Sequence, residues 1–356
     1  VPRFSGAPKR LSGHQVGPER TWKQSAFLLP PARAPCFTLV PKAMRTPRLT
    51  LALSLLSAIS LSAGINLKQE GKNLQVIVDG KLFTEYHGET RVPCLYPLMS
   101  PSGTHLTRQY PFVKDVAGEK SDHPHHTGFW FTHGNVNGHD FWHTDDCRIV
   151  TRRITGSNVS QKGDQAAVTF SVELAWEAKG KPIVLEQRRY DITLAKTRII
   201  DVTSAMKPAG DNVTFGDTKE GSFAIRTAPS LRLVGEVAKG KITNSEGVKD
   251  NDAWGKRARW VAYHGPDSAG TPQVIAIFDH NRNLRHPPWW HARNYGLLTA
   301  NPFDIRAFRD KSVKESGNFE LKKGESLTQR YRLLLHEGSL DSAKVEEAWK
   351  SFVAGK

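Results

Sequence analysis

The sequence predicts an all-β fold, a large antiparallel two-sheet sandwich with one C-terminal helix. Three observations carry that expectation. Segments of alternating apolar and polar residues follow one another between residues 147 and 203, as in VTFSVEL and RIIDVTS, and period two sends alternate side chains to opposite sheet faces. An Asp-Gly pair at 79–80 joins two strand-like runs, and a helical period stands out only near the C-terminus.

Taken in order, residues 1–43 are rich in Pro, Arg and small residues, lack an apolar period, and read as a disordered upstream extension. Residues 44–63 then combine a basic start at Met44–Arg48, an apolar run at Leu49–Leu61 and small residues ending at Ala63, which is the pattern of a secretory signal. The expectation is an exported, periplasmic or extracellular protein whose single domain spans 64–356. The run is too short for a comfortable membrane span, so no transmembrane span is expected in the mature chain. Nine of the 50 basic and one of the 35 acidic residues lie in 1–63, which reduces the net charge from +15 to +7 from Gly64 onward. Those charges are scattered and accompany no nucleic-acid-binding motif, so no nucleic-acid partner is expected. Of three cysteines, Cys36 precedes the signal; Cys94 and Cys147 fit a disulfide or two buried thiols equally well.

Leu74–Val78, Asp79-Gly80 and Lys81–Thr84 read as a hairpin, because Asp-Gly supplies the positive φ angles of a two-residue turn. The Pro-rich stretch from Arg91 to Pro111 reads as a long loop leading into a site. Strands are expected at Cys147–Thr155, Ala166–Trp176, Ile183–Leu194, Arg198–Thr203, Phe223–Arg226, Leu231–Val234, Trp260–His264, Val274–Asp279 and Leu327–Leu335. Val345, Ala348, Trp349 and Phe352 share one helical face, with Asp341 or Ser342 as its cap.

Five of the fourteen histidines lie between Glu119 and Trp142, among acidic residues, asparagines and aromatics. An ordinary buried strand does not carry so many side chains that need hydrogen-bond partners out of water, so the stretch reads as a site for a polar ligand with carbon faces. Pro124 favours an extended backbone at His123, which would put His123 and His125 on one side and His126 on the other. His126 and His133 also suit structural roles. Asn135 is explained as a turn former beside Gly134, whereas Asp140, set among histidines, suits a tautomer-fixing or basic role.

A second cluster holds Asp279, His286, Trp290, His291, Arg293 and Asn301, and a third lies at Asp217–Gly221 with Arg226 nearby. The expected catalytic residues are His123, His125, His126, Asp140 and His291. The expected substrate contacts are Arg108, Asn137, Trp142, Glu220, His286, Trp290, Arg293 and Asn301. The two main clusters are expected to close on one pocket, with His125 and Asp140 facing His286, Trp290 and Arg293. His123 and His125, completed by Asp140 or His291, form a candidate site for a divalent metal (Zn, Fe or Cu), although the same groups serve metal-free acid–base chemistry. A P-loop, a G-x-S-x-G elbow, an H-E-x-x-H helix, a C-x-x-C pair and a dinucleotide fingerprint are all missing, which disfavours the chemistries they support.

Arg108–Pro111, Asp122–His126, Val136–Trp142, Lys219–Gly221, Trp290–Gly296 and Ala300–Phe303 together resemble the PmoA-like family of bacterial proteins, which carries the label methane oxygenase. The resemblance implies an exported β-sandwich protein, similar to sugar-processing enzymes, with a galactose-mutarotase-like supersandwich. Three functions follow as expectations. The first is a carbohydrate-active enzyme that cleaves or isomerises a small-molecule or oligosaccharide substrate by His/Asp acid–base chemistry. The second, from the label, is a His-ligated metal-dependent oxygenase or other oxidoreductase, and the third is a non-catalytic sugar-binding module.

Overall fold

A computed structural model describes residues 64–162, 165–309, 312, 314 and 316–355. The expected extension and signal, and Cys36 with them, lie outside the described residues. The described residues form one compact unit.

Five strands open the described chain: β1 (Ile65–Glu70), β2 (Asn73–Val78), β3 (Lys81–His87), β4 (Cys94–Tyr96) and β5 (Phe129–His133). Four long ones follow, β6 (Cys147–Lys162), β7 (Gln165–Ala178), β8 (Lys181–Leu194) and β9 (Thr197–Pro208). Shorter pieces come next: β10 (Val213–Phe215), β11 (Gly221–Arg226), β12 (Lys241–Asn244), β13 (Trp260–Pro266) and β14 (Pro272–Asp279). The last are β15 (Trp289–Trp290), β16 (Leu297–Asn301), β17 (Phe319–Leu321) and β18 (Leu327–Glu337). They form two eight-stranded antiparallel sheets, ordered β1-β2-β3-β4-β5-β11-β16-β15 and β12-β13-β14-β18-β9-β8-β7-β6, with β10 and β17 paired separately. This is the all-β, two-sheet architecture that the period-two segments call for.

The β2–β3 hairpin turns at Asp79 (φ 51°) and Gly80 (φ 74°), with Val78 opposite Lys81. Both turn residues take positive φ, the requirement of a type I′ turn. In β8, Val184, Glu186, Arg188, Tyr190 and Ile192 alternate inward. Buried Phe131 and Phe223 of the first sheet meet Trp176 and Tyr331 of the second, Phe223 stacks on Tyr331 at 4.3 Å, and Phe129 packs edge-on against Phe223. One ion pair, within β8, is buried in this core. Arg188 binds Glu186 at 2.7 Å, Trp176 Nε1 and Ser204 Oγ donate to the same carboxylate, and the guanidinium lies over Phe131. Hydrogen bonds on both carboxylate oxygens offset the cost of taking these charges out of water.

Two expectations are corrected. Leu231–Val234 is no strand: a 3-10 turn spans Pro229–Leu231, and the N–H groups of Leu231, Leu233 and Val234 go to Ala228 and Asn294 carbonyls instead of a neighbouring strand. The C-terminal helix is two pieces, α1 (Leu340–Ala343), capped by the Ser339 side chain, and α2 (Val345–Ala354), joined at left-handed Lys344. Neither Asp341 nor Ser342 is the cap. The expected apolar face of α2 does pack, covering Trp260, Val274, Phe278 and Leu334 of the second sheet. Cys94 and Cys147 are both buried free thiols, and burial pushes the Cys94 thiol up to about 12.

Candidate functional site

β5 and β11 lie side by side in the first sheet, with Phe131 opposite Phe223 and Trp130 opposite Ala224. Phe131 and Phe223 face the second sheet, so the pleat sends Trp130, Ala224 and Arg226 to the other face. The candidate site is built on that face.

Arg108, fully buried, organises it. Its guanidinium donates to the carbonyl oxygens of Asp122 and His123 at 2.8 Å each, to that of His126 at 3.2 Å, and to Asp122 Oδ1 at 2.7 Å. Three carbonyls of one short segment reach one cation only if the chain curls around it. His123 accordingly has φ 46°, and the His126 N–H closes a turn onto His123 O at 3.0 Å. The extended geometry expected at His123 is therefore overturned. His123 and His126 stack on each other at 4.8 Å, while His125 meets His126 edge-on at 4.5 Å.

Trp130, His126, His123 and Tyr295 form a column of stacked rings rising from the sheet. Arg226 flanks it, donating to His126 Nδ1 at 3.0 Å and to Asp122 Oδ1 at 3.1 Å beneath the Tyr295 ring. Since arginine only donates, His126 Nδ1 accepts and that imidazole is neutral. Burial first, then His125 and Arg226, push its pKa far below the ordinary value.

A pocket of about 310 Å³ opens beside the column. The histidine turn contributes His123, His125 and His126, and the loop after β5 contributes His143. The lead-in to β11 adds Lys219 and Glu220, and the β15–β16 hairpin adds His291, Arg293 and Tyr295. Glu220 is ion-paired with Lys219. Buried His291 donates from Nδ1 to Lys219 O at 3.1 Å, which leaves Nε2 as the acceptor in the neutral ring. Burial lowers its pKa to about 4. His125 is also lowered to about 4, by burial and then by His143 and His123, and its Nε2 is buried without a protein partner. Both rings are neutral at pH 7.

The expected site residues thus divide. His123, His125, His126, Glu220, His291 and Arg293, drawn from three distant segments, share the pocket. Asp140 stands behind it: Oδ2 accepts from His143 Nδ1 at 2.8 Å, and Oδ1 from the Trp142 and His143 N–H groups at 2.8 and 3.0 Å. Trp142 is a buried wall against His125 and His126. Asn301 holds the Glu220 segment by donating to Thr218 O at 2.8 Å, and Asn137 clamps the Thr214 N–H at 2.7 Å.

His286 and Trp290 do not face His125 across the pocket. His286 pairs with buried Asp279 at 2.5 Å and stacks on Trp349 of α2, and Trp290 is fully buried with Nε1 bonded to Ala258 O at 2.8 Å. Both satisfy their polar atoms within the fold, which is why neither is left for a ligand. Sequence reasoning missed His143 and Tyr295. The first carries a signal in its spacing, Asp140-x-x-His143, and the second sits in a hairpin loop whose register sequence alone does not reveal. Among the described residues no group of three His, Cys, Asp or Glu side chains is arranged to hold a metal ion. The expected set built on His123 and His125 does not fit one, because the Arg108-centred turn stacks His123 against His126 instead of aligning it with His125.

The fold and the pocket define an all-β sandwich protein with a polar, histidine-rich cavity on one sheet. The chain belongs to a family of unknown function, DUF6807, whose model matches residues 73–350. That match corrects the expected PmoA-like membership and removes the methane oxygenase label with it. No curated protein matches the chain. Similar solved structures include the Slr1438 protein of Synechocystis sp. PCC 6803, at 9% identity and a TM-score of 0.36, covering 79% of this chain and 99% of that one. Another is a galactose mutarotase-like protein of Clostridium acetobutylicum, at 11% identity and a TM-score of 0.33, covering 78% and 99%. No helix among the described residues is long and apolar enough to cross a membrane.

Proposed function

We propose that the protein is an exported enzyme that cleaves or isomerises a sugar by acid–base chemistry in the histidine pocket. One observation carries the reading: a carboxylate, Glu220, shares a cavity of about 310 Å³ with His125 and His291, two imidazoles held neutral at pH 7. In this reading Glu220 takes a proton from the substrate. His291 Nε2 accepts a hydrogen bond from a hydroxyl, and the partnerless Nε2 of His125 binds a second polar group. Asp140, expected as the pocket carboxylate, instead orients His143. Export rests on the basic, apolar and small-residue order of residues 44–63, and the mature N-terminus, read by mass spectrometry from cells that make the protein, is expected near Gly64.

The test of the chemistry is Glu220→Gln assayed on a panel of mono- and oligosaccharides, by NMR exchange between epimers or anomers and by release of reducing ends. Turnover should fall on the order of 10²–10⁴-fold, the usual worth of a general base, with binding retained. Wild-type turnover in the variant removes Glu220 from this role. Sugar binding by the wild type without any turnover would leave a binding module.

A further inference from the structure

Resting on that reading, we infer that the sugar this pocket takes is acidic, a uronate-type ring whose carboxylate is bound by Arg293. The argument is a balance of charges around the cavity. Among the described residues Glu220 is the only carboxylate that lines it, and Lys219 already neutralises it. Arg293 is the other lining cation. Its guanidinium lies over the Tyr295 ring, 5.3 Å from the centroid, and among the described residues it has no carboxylate or carbonyl partner. A guanidinium with a flat aromatic beneath it and its edge free is laid out for a planar, two-pronged acceptor.

The floor reinforces the sign. Arg108 and Arg226 are both fully buried yet share one carboxylate, Asp122, at 2.7 and 3.1 Å. Two cations against one anion leave a fixed positive charge below the ring column, in a low-dielectric setting that screens it little. Burial and the neighbouring Arg108 push the Arg226 pKa down to about 10, which still leaves it charged at pH 7. A neutral sugar would leave both excess charges uncompensated, whereas a monoanionic ring places its charge at Arg293 and feels the floor as well. A carboxylate is favoured over a phosphate dianion because one free guanidinium, rather than a cluster of cations, faces the cavity.

The experiment is calorimetric titration, at low and at 0.5 M salt, of D-galacturonate and D-glucuronate against D-galactose, D-glucose and D-galactose 6-phosphate. It uses the wild type, Arg293→Met and Arg293→Lys. The uronates should bind most tightly and weaken with salt. Arg293→Met should cost on the order of 10–100-fold in uronate affinity, the range for one charge-assisted contact, and clearly less in neutral-sugar affinity; Arg293→Lys should restore part of the uronate loss. Equal binding of neutral and acidic sugars, or an equal loss for both in Arg293→Met, overturns the acidic-substrate inference and leaves the sugar-enzyme reading standing. Preference for the 6-phosphate overturns the carboxylate assignment. Absence of binding by every sugar in the wild type removes both readings together.

Discussion

At the scale of single residues, the histidines are sorted by who holds their second nitrogen. His133 is buried, bonds Gly216 O at 2.8 Å, and is lowered to about 4 by burial; His291 is lowered alike. An imidazole with a folded pKa of about 4 and an unfolded value near 6.5 binds its extra proton only in the unfolded chain between those limits. Its stabilising effect is complete above pH 6.5 and is lost as the pH falls to 4. Each contributes on the order of 3 kcal/mol across that window. Chemical denaturation at half-unit pH steps should show this fall, and His133→Asn should make it shallower by about one residue's share. Trp290→Ala should act on stability alone, costing about 3–5 kcal/mol as a buried tryptophan does, while sugar affinity of the folded protein stays at the wild-type level. Lost affinity without lost stability would return Trp290 to the pocket.

At the scale of elements, the lead-in to β11 is tied to the loop after β16 by a pair of acids. Asp217 accepts from the Ile305 N–H at 3.3 Å and the Gly317 N–H at 2.6 Å, and the fully buried Asp304 lies beside it. Burial and the hydrogen bond to Asp217 raise the Asp304 pKa to about 7. Here the sign is opposite to that of the histidines. The folded chain keeps a proton that the unfolded chain releases, so stability falls as pH rises from about 4 to 7. Asp304→Asn keeps an oxygen for the Ala307 N–H, which Asp304 accepts at 2.9 Å, and offers Asp217 an N–H. The variant should gain stability over the wild type progressively from pH 4 to 7 and hold that margin above pH 7; thermal unfolding across this range reads it. A margin independent of pH would exclude the shared proton.

At the scale of the whole molecule, the two sheets are joined by aromatic side chains and by the Arg188 guanidinium of β8, which lies over the Phe131 ring of β5. Phe223 is the contact that links site and core, since it stacks on Tyr331 while its neighbours Ser222 and Ala224 face the other way. Phe223→Ala should cost about 3–5 kcal/mol in equilibrium unfolding. It should also weaken sugar binding, because Glu220 immediately precedes β11 and Arg226 ends it. Unfolding at the wild-type midpoint would mean that the sheets are held elsewhere.

The sequence by itself determined what depends on near neighbours: the two-residue turn at Asp79-Gly80, the long alternating strands β6 to β9, the apolar face of α2, and the concentration of imidazoles around residue 125. Those features follow from backbone preference and period, which act over a few residues. Only the tertiary structure decided which polar residues are free for a ligand. Arg108 binds a turn about fifteen residues on, Arg226 reaches Asp122 and His126 about a hundred residues back, and Glu220, His291 and Arg293 join them from the lead-in to β11 and the β15–β16 hairpin. Pro124 alone favours an extended His123, but three carbonyl hydrogen bonds to one buried guanidinium outweigh that local preference. Trp290 and His286 have the composition of a binding site, yet the partners that satisfy them, Ala258 and Asp279, are assigned only when the strands pack.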